Sequence, residues 1–446
     1  MSEPRILIIS HGHPDFSLGG GEIAAHAHWA ELRRRGIEAM LVSRVSRSPG
    51  HAGTPFFARS ADGLDVLFNP PPVDHFRHTQ PQGRVVYEEF RSLLDQFRPT
   101  VVHFQHYTFV GLEVIREVRK YASEVPIVLT LHEFLAICYA HGQMVKTNGL
   151  LCQKAAPLDC HLCFPDISPQ NFFMRELFVK SFLGLVDLFV CPSEFLRDRY
   201  LAWGLPPEKM VVLENGQPRR DGGIPEESSD HAHETRFIVV GQLSARKGTL
   251  VVLDAVRLLP KRLRKLVKIE IHGSIQHAED DFKRQFEKTL KEVEDSVCFC
   301  GPYRFGDVGG IIRRNGWVIV PSIWWENSPL VIQEAFAAGR PVICSNIGGM
   351  AEKVTHGVSG VHFRVNSASD LAARIEECAT NPDLWKKLCA GVPQPPTIDQ
   401  TVDQLLALYR RRSEPPSKVV PVADDKRDHE GPSLLMPTVR PLDATP

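Results

Sequence analysis

The chain lacks an excess of charge of either sign: 52 Lys and Arg stand against 53 Asp and Glu in 446 residues. No global field would draw nucleic acid to it. It lacks any run near the ~18–20 consecutive apolar residues of a membrane span. The opening MSEPRILIIS enters a strand-like run without the layout of a signal peptide. No G-x-G-x-x-G follows a strand, so a nicotinamide site gains little support. No Asp-x-Asp pair stands behind a strand to hold a divalent ion at a phosphate, and no short-period repeat is present. These absences give the expectation of a cytoplasmic globular protein, with peripheral contact at the inner membrane surface left open.

What is present is ordinary in bulk. Hydrophobic residues make up 43% and charged residues 24%, as in soluble globular proteins. The length suits two or three domains. RILIIS (5–10), IEAMLVS (37–43), TVVHFQ (100–105), IVLTL (127–131) and DLFVC (187–191) read as buried parallel strands. RFIVVG (236–241), KIEIHG (268–273), SVCFCG (296–301), WVIVPS (317–322) and RPVICS (340–345) form a second series. Continuous apolar runs, rather than alternation, mark strands covered on both faces. Amphipathic stretches lie between them, such as Gly20 to Arg35 with Ile23, Ala27 and Ala30 on one stripe. The expectation is an α/β protein of two doubly wound domains facing each other across a cleft. The first domain takes 1–216, a polar linker 217–235, the second domain 236–395, a returning helix 396–412 and a disordered Pro-rich tail 413–446.

One run carries chemistry: WWENSPLVIQEAFAAGRPVICSN, residues 324–346. Glu326 and Glu334 stand with seven residues between them. Ser328-Pro329 has the form of a helix start, with Ser328 as cap, and Gly339 that of a stop. Glu326 then lies in the loop before the helix and Glu334 on its second turn. A helix N-terminus suits a phosphate, and a carboxylate suits a diol. Phosphates flanked by hydroxyls describe a nucleotide sugar. The alternative is a solvated glutamate pair beside a surface helix.

ENSPLVIQEAFAAGRPVICSNIGGMAEKV resembles the donor-binding signature of the retaining glycosyltransferases of family 4, which have the GT-B fold. SLGGGEIAAHAHWAELRRRG (17–36) resembles that family's first Gly-rich loop and helix, TLHEF (130–134) its His-Asp segment, VVLENG (211–216) its hinge, and VVGQLSARKG (239–248) its phosphate loop. The resemblance covers about residues 5–410. It implies transfer of a sugar from a nucleoside diphosphate sugar to an acceptor hydroxyl with retention, and no cofactor or metal at the phosphates. It implies Glu334 on the ribose and Glu326 on the sugar, His132 positioning that sugar, and Lys247 on the diphosphate. Gln242 stands where the family usually has Arg, and Arg246 offers the missing charge. Gly20 and Gly21, with Gly19, form a cleft wall. Tyr303, Asn327, Ser328 and Leu330 complete the donor-binding set. His103 and His106 are weaker acceptor-side candidates. The acceptor is a carbohydrate, a lipid-linked sugar or a small molecule, and no nucleic-acid partner is expected. An epimerase, a phosphorylase or an inactive binding protein on the same architecture are the alternatives.

Ten cysteines are scattered along the chain, and four fall within 26 residues: Cys138, Cys152, Cys160 and Cys163. The C-x2-C at 160–163 has zinc-knuckle spacing. These four are candidate ligands of a structural zinc, with His141 and His161 as alternative ligands and free thiols as the alternative reading.

Overall fold

A computed structural model describes residues 4–17, 19–46, 54–81, 83–217, 233–276 and 278–413. The expected tail from residue 414 on, and residues 218–232 of the expected linker, lie outside the described residues.

The first sheet has eight strands: β1 (Arg5–Ser10), β2 (Glu38–Arg44), β3 (Phe56–Ala58), β4 (Asp65–Phe68), β5 (Val101–Phe104), β6 (Ile127–Thr130), β7 (Leu188–Cys191) and β8 (Met210–Val212). Their spatial order is β3-β4-β2-β1-β5-β6-β7-β8. The second has six: β9 (Arg236–Val240), β10 (Lys268–His272), β11 (Val297–Gly301), β12 (Trp317–Val320), β13 (Val342–Ser345) and β14 (Gly360–Phe363), ordered β11-β10-β9-β12-β13-β14. Every pairing is parallel except β3 with β4. Both sheets therefore need cover on both faces. In β1, Leu7 and Ile9 face a core with Phe104, Leu129 and Phe189. Ile6 and Ile8 face the opposite core, with Val128 and Leu188.

Helix Ile398–Ser413 supplies part of that second cover: Ile398, Val402, Leu405, Leu406 and Tyr409 join Ile6, Ile8 and Leu32. The chain therefore returns to the first sheet after completing the second. The Tyr409 hydroxyl reaches Nδ1 of His103 at 2.6 Å. The outward and return crossings are strapped together, Gln217 N donating to Pro396 O at 2.8 Å and Ile398 N to Gln217 O at 2.9 Å.

Several expectations need correction. Four strands were not expected from the sequence: β3, β4, β8 and β14. They are three or four residues long, and the antiparallel edge strand β3 is half-exposed. The helix Gly20–Arg34 buries Ala24, Ala25, His28, Glu31 and Leu32 instead of the Ile23, Ala27, Ala30 stripe. Its inner face is partly polar, which an apolar count overlooks. His28 Nδ1 meets Gln105 Nε2 at 2.9 Å. Glu31 holds Arg34 and Arg35, and Arg34 continues to Asp399 on the returning helix at 3.1 Å. No described helix is long and apolar enough to cross a membrane.

Leu405 is 2% exposed in the interface between the returning helix and the first sheet. Leu405→Ala should lower stability by about 2–5 kcal/mol. Urea unfolding should show this as a lower midpoint with an unchanged slope. An unchanged midpoint would mean that the helix adds nothing to that core.

Candidate active site

The loop after β12 leads into helix Leu330–Ala337. Within it, Glu326 is 7% exposed. Its Oε1 accepts from Lys247 Nζ at 2.7 Å, Ser322 Oγ at 2.7 Å and Trp324 Nε1 at 2.8 Å. Burial pushes this carboxyl up, but the Lys247 charge and the three hydrogen bonds outweigh it, and the carboxyl sits below its ordinary value. Lys247 ends the 3-10 turn Ala245–Lys247, and its amide donates to the Ser244 hydroxyl that caps the turn. Gly248 follows with φ +71°, and a Cβ there would overlap the Pro321 carbonyl. Glycine thus lets the loop after β9 approach the end of β12 and brings Lys247 to Glu326. Arg246 and Gln242 are exposed beside the same turn.

Glu334 is buried on the second turn of the helix. Burial, and then the Glu334 charge, push the Tyr303 phenol up. Gly339 ends the helix in the left-handed region. The cap differs from expectation: Pro329 takes the cap position in extended conformation and no side chain caps the helix. The helix begins one residue later than Ser328 could cap. Ser328 Oγ and Asn327 Oδ1 are buried without a hydrogen-bond partner within the protein. Behind the loop, a Cβ on Gly349 would overlap the Asn327 carbonyl, so the helix Gly348–Lys353 packs directly on this backbone.

The first domain meets this loop at its own sheet edge. Asn327 Nδ2 donates to the His132 carbonyl at 2.8 Å. A Cβ built on Gly20 lies 3.5 Å from Leu330, and one on Gly21 lies 3.1 Å from His11 and 3.6 Å from His132. Close approach, and not positive φ, is what these glycines provide: Gly19 is extended, and neither Gly20 nor Gly21 is left-handed. His132 Nε2 meets Gln105 Oε1 at 3.0 Å. Burial, and then the neighbouring His106 and His11, hold its imidazole well below the ordinary range, so it is neutral at neutral pH. His106 pairs with Glu133 at 3.1 Å and packs on His11. Burial pushes Glu133 up to about 8. His103 does not line the cleft: it is wholly buried between Tyr409 and Thr130.

Further contacts join the two halves. The Glu352 carboxylate accepts from the amides of Glu194 and Phe195 at 2.9 and 2.7 Å. Trp325 Nε1 donates to the Cys152 carbonyl at 3.1 Å. Glu214 pairs with Lys353 and Gln333. Ser322, Trp324, Trp325, Glu352, Glu133 and His11 were missed at the sequence level. The tryptophans stand inside the quoted run, but no local rule assigns an indole N–H to a distant carbonyl or a buried carboxylate.

Cys138, Cys152, Cys160 and Cys163 line one cavity of about 20 Å³, and neither His141 nor His161 is part of its wall. No three of these sulfurs lie within 4.8 Å of one another. Among the described residues, Glu270, His272 and Cys300 on β10 and β11 do bring three ligating atoms that close. There Arg236 and Asn315 already bond the Glu270 carboxylate.

Two family models match the chain: Glycosyltransferase Family 4 over residues 18–218 and Glycosyl transferases group 1 over residues 224–390. The chain is 34% identical over 232 residues to D-inositol 3-phosphate glycosyltransferase of Nocardiopsis dassonvillei, covering 49% of this chain and 52% of the relative. It spans about half the length of the first curated relatives it matches. Against glycogen synthase of Mycobacterium tuberculosis the match is 29% over 454 residues, 94% of this chain and 98% of the relative. In fold it is similar to HepE from Anabaena in complex with UDP-glucose, with a TM-score of 0.62, 16% identity, and 91% and 99% coverage of the two chains.

Glu326 generates a pH prediction. Its native value lies below its ordinary one, so its stabilising contribution is fully present above the unfolded-state value of about 4.3 and is lost as pH falls through the native value. Glu326→Gln should lower stability by about 1–2 kcal/mol near neutral pH, less than for a fully buried pair because Lys247 is 37% exposed and water screens its charge once the carboxylate is gone. Chemical unfolding across pH should show the gap between wild type and variant narrowing as the medium turns acid. A gap of constant size would contradict the pairing.

Proposed function

The chain belongs to glycosyltransferase family 4 with the GT-B fold, and on that premise we propose that it moves a sugar from a nucleoside diphosphate sugar to an acceptor hydroxyl with retention of anomeric configuration. The observation that carries the reading is the loop 324–330. One short stretch holds a buried carboxylate with its lysine, two unpartnered polar atoms, and a helix start next to Gly20. The UDP-glucose named in the HepE complex supports the donor class.

In this proposal the second domain, from about 236 to 395, takes the donor. Glu334 accepts from the ribose diol, and Tyr303 lies on the nucleoside side. Lys247 and Arg246 meet the diphosphate, together with the free amides at the start of helix Leu330–Ala337. Gln242 offers an amide where relatives offer a cation. Ser328 and Asn327 supply hydrogen bonds that the protein leaves unused. Glu326 faces the transferred sugar, with Lys247 shared between it and the leaving phosphate. His132 positions the sugar as a neutral imidazole and takes no proton-transfer role.

The bond between the anomeric carbon and the phosphate oxygen breaks, and a bond to the acceptor oxygen forms on the same face. The acceptor proton passes to the leaving phosphate. Charge growing on that phosphate is what the lysine and the helix amides stabilise, and the closed contact between domains limits hydrolysis. Protein groups neutralise the diphosphate, so no metal enters the step. The first domain, residues 1–216, offers the acceptor side, and the acceptor is a carbohydrate, lipid-linked or small-molecule hydroxyl of polysaccharide or glycoconjugate synthesis.

The two glutamates should separate in a binding experiment. Glu334→Gln loses a charge-assisted bond of roughly 1.5–3 kcal/mol. It should weaken nucleoside diphosphate and intact donor alike, by about 10- to 150-fold. Glu326→Gln should leave the affinity for free nucleoside diphosphate nearly intact while lowering turnover. Titration calorimetry with product and steady-state rates with donor read both. Equal weakening of nucleotide binding by the two variants would refute the division of labour.

A further inference from the structure

The segment 138–163 carries almost no core of its own. Its helix, Pro157–Cys163, buries no residue. Leu158 and Leu162 on that helix are 71% and 74% exposed. Met144 joins the core of the first domain and Leu151, Cys152 and Ala155 pack against it, but the helix that carries Cys160 and Cys163 has no buried residue of its own. Elements without a core are commonly held by cross-links or by metal, and no disulfide is present among these cysteines.

We propose that Cys138, Cys152, Cys160 and Cys163 bind one thiophilic divalent ion, zinc by preference, as a structural tetrathiolate site that clamps this segment against the loop carrying Glu326. All four side chains line the same small cavity, from two stretches of loop and one helix. Four thiolates with no oxygen ligand select a soft tetrahedral ion and leave no open position for chemistry.

The Cys152 thiol donates to the Lys154 carbonyl at 3.4 Å, a bond given up when the sulfur loses its proton to ligate. Lys146 also lines the cavity and offsets part of the charge of four thiolates around one dication, although Asp159 opposes it. Val145, Phe164 and Phe172 add an apolar part to the wall.

The sulfurs are not yet at ligand spacing, since no three lie within 4.8 Å. A tetrahedral ion with metal–sulfur bonds of about 2.3 Å needs sulfurs about 3.8 Å apart. Binding therefore draws the four side chains inward, and each thiol releases its proton to solvent.

The site has a structural address. The Cys152 carbonyl accepts from Trp325, the neighbour of Glu326. The Arg199 guanidinium bonds Gln153 and stacks on the Trp325 ring at 4.7 Å. Fixing Cys152 thus fixes the surface on which the catalytic loop rests.

Metal analysis of the full chain, purified without chelator, tests this independently of sugar transfer. The expected result is about one zinc per chain, lost in the double variant Cys160→Ser, Cys163→Ser. Serine variants can fail to fold, so a second measurement uses the wild-type chain stripped and reloaded with Co(II). It should then show sulfur-to-cobalt charge transfer and the visible bands of a tetrahedral site. A chain without zinc that gives no charge-transfer band with Co(II) overturns the proposal. So does a chain in which disulfides among these cysteines persist under reducing purification.

Discussion

A carboxylate buried between two sheet edges must find a cation, and Glu326 finds Lys247. Desolvating both groups is costly, so the pair is poor evidence for stability by itself. Its effect is positional. Lys247 stands where it does because Gly248 lets one loop touch the next. Ser322 and Trp324 bond the same Oε1 as Lys247 and fix the loop leading into the helix Leu330–Ala337.

The first domain is tied to that same loop by single, specific contacts. Asn327 bonds the backbone of His132, Leu330 rests on Gly20, and Trp325 bonds the backbone of Cys152. Glu352 meets the first amides of the helix Glu194–Trp203, where a carboxylate is favoured. The strap between Gln217 and Ile398 holds the two chain crossings together. These contacts link His132 to the loop 324–330, and opening the cleft would have to break them. In the proposed reaction this couples assembly of the site to exclusion of water.

The parallel sheets were legible because runs such as RILIIS and WVIVPS are apolar on both faces, which local composition records. The loop and helix around Glu326 and Glu334 were legible because Pro329 and Gly339 punctuate the chain. Ser328 was misread as a cap because its role depends on how far the chain stays extended through Pro329, which residue type alone does not decide. His103 was placed in the cleft because it ends a strand, yet its partner Tyr409 lies more than three hundred positions along the chain. The buried face of Gly20–Arg34 escaped for the same reason, since His28 and Glu31 are buried only where distant partners meet them. Spacing singled out the four cysteines, but only the folded chain gathers them around one cavity.

In the proposed reaction Glu326 is committed to Lys247 and His132 Nε2 to Gln105, and neither takes the part of a nucleophile on the face opposite the leaving group. Front-face transfer is the mechanism we propose, and it would fix the stereochemistry. The most direct measurement is the anomeric proton coupling of freshly formed product, followed by NMR in an incubation with a nucleoside diphosphate sugar that the protein turns over. The account predicts a product with the anomeric configuration of the donor from the first turnover. An inverted product would contradict it and would require a general base beyond Glu326 and His132.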